Sequence, residues 1–184
     1  MPGTVSGPQP MNEAFLHPPV LGFAAYSGTG KTTLLVQVLP LLRAAGIHVG
    51  MIKHAHHQFD IDIPGKDSYE LRKAGAEQML IASDQRWALM HDYAQIQEPR
   101  LEDLLQILPR DRLDLILVEG FRHTPFPKIE LHRPATGSPL LFPGDPTILA
   151  VASDAPIETS LPLLDINSPQ AIATFIIDYL QARA

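Results

Sequence analysis

The sequence contains no cysteine. That excludes disulfides, thiolate zinc sites, iron–sulfur clusters and cysteine nucleophiles, and it is compatible with a reducing, cytoplasmic setting. No run of about 18 apolar residues occurs, so no membrane span and no membrane partner are expected. Basic residues are scarce: 14 Lys and Arg stand against 20 Asp and Glu, for a formal net charge of −6. That balance argues against general nucleic-acid binding, where affinity rests on neutralising phosphates. The first 17 residues lack a basic segment followed by an apolar core. They read as a flexible tail over 1–17, not a signal peptide, ahead of one domain over 18–184. With 45% hydrophobic and 18% charged residues, the chain can build a real core.

What is present alternates between two periods. The apolar run from Val20 to Ala25 predicts a buried strand, and Leu34, Leu35, Val38, Leu41 and Leu42 recur behind it at helical spacing. Pro40 falls inside that pattern and is expected to kink or shorten the helix, which Gly46 ends. Residues 47–52 predict a second strand, parallel to the first. The polar stretch from Ala55 to Lys66 reads as a loop, and Asp67 or Ser68 as the cap of a short helix over 69–74. Apolar runs at 79–82 and 87–90 predict a hairpin. A helix is expected over 101–108 and a strand covered on both faces over 113–118. Further strands are expected at 128–131, 148–151 and 163–164, and Ser168-Pro169 opens a last helix to Gln181. The alternation predicts an α/β domain with a mainly parallel sheet flanked by helices. The hairpin near 80–91 and a Pro/Gly-rich excursion near 122–146 are its irregular parts.

Between the first strand and the first helix lies Ser27-Gly28-Thr29-Gly30-Lys31-Thr32-Thr33. Gly30-Lys31-Thr32 is the second half of the phosphate-binding pattern G-x-x-x-x-G-K-[ST], with Ala25 at the first glycine position. Gly28 and Gly30 let successive backbone N–H groups turn inward as an anion nest, and the helix start adds its dipole. Lys31 can reach the β- and γ-phosphates, and the Thr32 hydroxyl can complete a Mg²⁺ shell. A tight turn is the plain alternative, but the strand before and the helix after are the context the motif requires. The expectation is a P-loop NTPase-type fold in which Ser27 to Thr33 contact a nucleotide.

The run from Leu113 to Val118 ends in Glu119-Gly120. A carboxylate at the carboxyl end of a buried strand projects into the crevice where open α/β sheets bind ligands. Glu119 is therefore the candidate Mg²⁺ ligand or water-orienting group, and Lys31 and Glu119 are the candidate catalytic residues. A solvated strand end is the alternative, and Asp114 reads as structural. Lys53-His54-Ala55-His56-His57 leaves the second strand at the same edge, so Lys53 or His54 can meet a bound anion. The histidines, with Asp60 and Asp62, raise a metal site that their loop spacing does not favour. The segment from Asp62 to Ser68 reads either as a switch-like loop near the γ-phosphate or as a turn.

Together these pieces resemble one family, the molybdopterin-guanine dinucleotide biosynthesis protein B family (MobB). The matching blocks are residues 25–34, Ile52-Lys53-His54, the Pro64-Gly65-Lys66-Asp67-Ser68-Tyr69 block continuing to Ala76, residues 85–90, Leu113 to Phe121 and Ala150 to Asp154. The resemblance implies a protein that binds GTP with Mg²⁺, hydrolyses it weakly, and assists the guanylyltransferase MobA in making the guanine dinucleotide form of the molybdenum cofactor. It further implies a homodimer with an extended shared sheet. A small residue in place of the first glycine agrees with that family. The segment from Phe121 to Arg133 is a candidate contact for a molybdopterin-type phosphate or for the partner. The N-K-x-D signature that reads guanine is absent; Asp154 is a candidate acceptor for the base's N1 and N2 donors, or else a cap for the turn before Pro156. Two rival readings remain at this level: a small-molecule kinase with an Arg lid drawn from Arg110, Arg112, Arg122 and Arg133, and a carrier of a phosphorylated cofactor.

Overall fold

A computed structural model describes residues 17–55 and 59–183. Apart from His17, the expected tail lies outside the described residues, as do His56 and His57 of the histidine cluster. The elements are β1 (Val20–Ala24), α1 (Lys31–Ala44), β2 (Val49–Lys53), α2 (Asp67–Lys73), β3 (Gln78–Ala82), β4 (Trp87–His91), α3 (Leu101–Ile107), β5 (Leu115–Glu119), β6 (Lys128–His132), β7 (Ile148–Ser153), β8 (Leu163–Asp165) and α4 (Pro169–Gln181). They form two compact units: the chain up to His54 together with Arg100 onward, and Ala55–Pro99.

The first unit holds a six-stranded sheet of order β2-β5-β1-β6-β7-β8, parallel throughout. Side chains alternate across it, as the pleat requires. Leu21, Phe23, Leu115, Leu117, Ile129 and Ala150 face α1 and α4, which contribute Leu35, Val38, Leu42, Ile172 and Ile176. Val20, Ile116 and Val118 face the opposite way, against Leu101 and Leu105 of α3 and against Phe121 and Phe126. Gly22 sits under that second layer, where a Cβ would lie 2.6 Å from the ring of Phe126. The P-loop NTPase-type α/β architecture is thus realised.

Pro40 does not shorten α1, which runs 14 residues to Ala44. The ring lacks the N–H that the Val36 carbonyl would otherwise accept. Val36 is 64% exposed, so water can donate there instead, while Leu42 extends the buried stripe beyond the proline. The helix closes as Gly46 N–H donates to Arg43 O and Ile47 N–H to Leu42 O, the pattern of a Schellman motif. Helix α4 starts as expected, with the Ser168 hydroxyl oxygen accepting from Ala171 N–H at 3.2 Å.

Two buried ionic groups hold the excursion after β6 onto the sheet. Glu130, 1% exposed, accepts from the backbone N–H of both Leu141 and Phe142 at 2.8 Å. Lys128, equally buried, pairs with Asp145 at 3.0 Å and donates to Thr124 O. Burial pushes the Lys128 ammonium below its ordinary pKa, and Asp145 works against that. Asp114 accepts from both the backbone N–H and the ring of His48, a structural role at the far end of β5.

The second unit contains the hairpin, β3 and β4, paired antiparallel as a sheet of its own. The cap of α2 departs from expectation: Lys66 stands at the N-cap position with no side-chain cap, and Asp67 and Ser68 lie within the helix. The Ser68 hydroxyl donates instead to Asp62 Oδ1 at 2.8 Å, so it is not available to close the helix end. Arg72, its side chain 6% exposed, donates to both oxygens of Asp60 and of Asp92, with Asp62 at 3.8 Å.

Candidate functional site

The cradle forms where β1 gives way to α1. Gly28 and Gly30 have φ of 82° and 94°, backbone that side chains rarely adopt, and Gly30 is the N-cap of α1 with no side chain to close the helix end. Thr29, 2% exposed, donates its hydroxyl to Tyr26 O at 2.9 Å and so closes the loop on itself. Lys31 Nζ donates to Ala25 O at 3.2 Å and Tyr26 O at 3.4 Å, which places the ammonium inside the curve of the loop. Ala25 does not share the glycines' left-handed backbone: among the described residues only Phe121 combines a side chain with positive φ. Ser27, Thr32 and Thr33 are exposed on the same segment.

Glu119 reaches this site because β5 lies directly beside β1, with Phe23 and Glu119 in register. Its carboxylate pairs with Lys53 at the end of neighbouring β2, Nζ to Oε2 3.0 Å. Three charged groups expected separately, Lys31, Lys53 and Glu119, are therefore brought to one edge. The turn after Glu119 is strained, with Gly120 at φ 97° and Phe121 at φ 51°. A Cβ on Gly120 would meet that of His54 at 2.6 Å, so only glycine lets the two strand ends pass. The His54 N–H donates to Glu119 O, and its ring stacks on Phe121 at 4.7 Å.

Partial burial lowers the Lys31 pKa most. Glu119 opposes that shift, while Lys53 and Arg122 add to it. A bound polyphosphate favours the ammonium, so affinity is complete below the lowered pKa of the free protein and declines as pH rises through it. Calorimetric titration with tripolyphosphate toward alkaline pH is expected to show weakening affinity with proton uptake on binding, and Lys31→Arg is expected to flatten both. A flat wild-type profile would detach Lys31 from the anion.

Asp154 sits immediately past β7, where Arg133 Nη1 donates to its Oδ2 at 2.6 Å. Arg133 was legible only as part of a basic stretch and as one member of a possible Arg lid, not as the partner of Asp154. Arg122 lies over the Tyr26 ring of the cradle loop at 4.9 Å and lines, with His123, Thr124, Leu140 and Thr147, a half-open cavity of about 510 Å³. The metal reading of the histidine cluster turns on His56 and His57, which lie outside the described residues. Asp60 and Asp62 are engaged with Arg72, and no group of three or more His, Asp or Glu is placed to hold a metal among the described residues. A Mg²⁺ ion bound with a nucleotide would need no such protein cage, since the Thr32 hydroxyl and the Glu119 carboxylate are hard oxygen donors of the kind it takes beside phosphate oxygens.

The model of the family described as molybdopterin guanine dinucleotide synthesis protein B matches residues 20–154. A molybdopterin-guanine dinucleotide biosynthesis adapter protein of Escherichia coli K12 is 51% identical over 164 residues, 89% of this chain and 94% of its own length. A protein of the same description from Haemophilus influenzae is 46% identical over 162 residues, covering 88% of this chain and 89% of itself. A crystal structure of molybdopterin-guanine biosynthesis protein B aligns with a TM-score of 0.68 at 24% identity, over 87% of this chain and 99% of that one. A MobB homolog from Bacillus stearothermophilus aligns at 0.65 and 23% identity, over 89% and 98%. At these identities the two structures speak for the fold alone. Among the described residues no helix is long and apolar enough to cross a membrane.

Proposed function

Because this chain belongs to the molybdopterin guanine dinucleotide synthesis protein B family, we propose that it is a GTP-binding adapter in the assembly of the guanine dinucleotide form of the molybdenum cofactor. In this reading it works in the cytoplasm beside a MobA-type guanylyltransferase and hydrolyses GTP slowly. The observation that carries the proposal is the cradle: two glycines of positive φ opening the start of α1, with Lys31 inside the loop and Glu119 beside it. Backbone N–H groups from Gly28 to Thr33 and the Lys31 ammonium bind the polyphosphate, and Ser27 borders it. Thr32 and Glu119 would hold Mg²⁺, which supplies charge neutralisation at the β- and γ-phosphates. Lys53 fixes the Glu119 carboxylate through their 3.0 Å ion pair and adds positive charge at the same edge. Asp154 takes the role of guanine acceptor, its carboxylate matching the base's adjacent N1 and N2 donors. A direct molybdopterin contact falls to the cavity beside Arg122 and His123, where the Arg122 guanidinium suits a phosphate ester.

The homodimer is supported by the hairpin. Pairing of Leu80 with Leu89 and Ala82 with Trp87 puts all four side chains on one face of β3–β4. Leu80, Trp87 and Leu89 are 61, 58 and 42% exposed. An isolated two-stranded sheet with an open apolar face is marginal in water, and a second copy covers it.

Calorimetric titration with GTP, ATP and GDP in Mg²⁺, with phosphate release followed on the same samples, tests the proposal. The expected result is tighter binding of GTP than ATP, slow acceptor-free release, and a dimer in sedimentation. Tight ATP binding without release would replace the adapter with a kinase, and a monomer would remove the shared sheet.

A further inference from the structure

We propose that Arg133 is a positioning residue that couples the phosphate cradle to the base-reading side of the site, and that preference for guanine depends on it. The inference rests on the GTP-binding reading above and deepens it.

Arg133 directly follows β6, the strand between β1 and β7. Its Nε donates to Thr29 O at 3.1 Å, Nη1 to Asp154 Oδ2 at 2.6 Å, and Nη2 to Asn167 Oδ1 at 2.8 Å. All three guanidinium nitrogens are engaged, each with a different element: the loop after β1, the end of β7 and the turn after β8. The guanidinium is planar, permanently charged and rigid, so the three acceptors are held in one fixed arrangement. A lysine, with one nitrogen on a flexible stem, cannot reproduce it.

Two consequences follow for ligand recognition. In a trans peptide the C=O and the following N–H point in opposite directions. With Thr29 O held toward Arg133, the Gly30 N–H is turned to the other side of the loop, the arrangement an anion nest needs. At the other end, the Arg133 guanidinium on Oδ2 fixes the plane of the Asp154 carboxylate. Each carboxylate oxygen accepts more than one hydrogen bond, so Asp154 retains capacity for the paired N–H donors on guanine's N1–N2 edge. Adenine offers an acceptor where guanine has the N1 donor, and a fixed carboxylate penalises that mismatch far more than a mobile one. Asn167 acts on the ligand only through Arg133.

The test compares wild type, Arg133→Ala, Arg133→Lys and Asn167→Ala by calorimetric titration with GTP, ATP and tripolyphosphate in Mg²⁺, each variant checked by thermal melting. The expected result is a loss of GTP affinity of about tenfold to a hundredfold in both Arg133 variants, with much smaller losses for ATP and tripolyphosphate. The GTP-to-ATP ratio should therefore collapse, and Asn167→Ala should move it the same way by less. If Arg133→Ala does not fold, Arg133→Lys and Asn167→Ala carry the comparison. Equal losses for all three ligands would reduce Arg133 to a support of the cradle and overturn the proposal, as would unchanged affinities. A wild type that does not prefer GTP over ATP would overturn the GTP reading itself, and this is decided before any variant is titrated.

Discussion

Lys31→Ala is expected to lower GTP affinity by about two to three orders of magnitude while the protein melts at or slightly above the wild-type temperature. Truncating one partner of a desolvated, hydrogen-bonded charge pair costs about 2–5 kcal/mol, and each 1.4 kcal/mol is about tenfold in affinity. The Lys31 ammonium is such a partner: it lies inside the loop, and burial is the leading influence on its protonation. The fold does not need it. In the free protein its bonds, at 3.2 and 3.4 Å to carbonyls, are long, and Lys31 is the first residue of α1. A cation there opposes the helix dipole, and alanine is the best helix former, so the substitution removes an unfavourable charge. Calorimetry on the variant, with a melting curve as the folding check, decides the matter. GTP affinity unchanged in the folded variant would remove the cradle from nucleotide binding, and the proposed function with it.

Glu119→Gln is expected to leave GTP binding within a few-fold of wild type and to slow phosphate release by about a hundredfold to a thousandfold, the range for loss of one preorganised electrostatic group. Glutamine keeps the shape and one acceptor oxygen but loses the charge that draws Mg²⁺ and fixes a water. Structural damage should be slight. The Lys53–Glu119 pair has its lysine side chain 56% exposed, and such pairs contribute about 0–1 kcal/mol. Backbone contacts at this position persist, since His54 N–H donates to the Glu119 carbonyl and not to its side chain. Single-turnover phosphate release at saturating GTP separates the two effects. Equal release rates would take Glu119 out of the chemistry and leave it the partner of Lys53.

Much of this was legible along the chain because the signals are local. Ser27 to Thr33 are seven consecutive residues running from the end of a strand into the first turn of a helix, and both glycines adopt the positive φ that the nest reading requires. The Ser168-Pro169 start of α4 and the Gly46 end of α1 were readable for the same reason: cap chemistry acts within a few residues. The shortening that Pro40 suggested does not occur, because its cost depends on whether solvent can serve the Val36 carbonyl, which is a question of burial. The cap of α2 misled because Asp62, six residues upstream, takes the Ser68 hydroxyl.

The sequence by itself determined the α/β alternation, the phosphate cradle and the presence of a carboxylate at the end of a buried strand. Each follows from periodicity or from backbone requirements within a short window. Only the tertiary structure decided that β5 inserts between β2 and β1, and that insertion sets Glu119 beside Lys31 and against Lys53, 66 positions away. Only it decided that Arg133 reaches Thr29 across 104 positions, Asp154 across 21 and Asn167 across 34. The physical reason is the same throughout. Strand order is chosen by which faces α1, α3 and α4 can cover, a property of the whole core, and side chains at strand ends acquire partners only once neighbouring strands are in register.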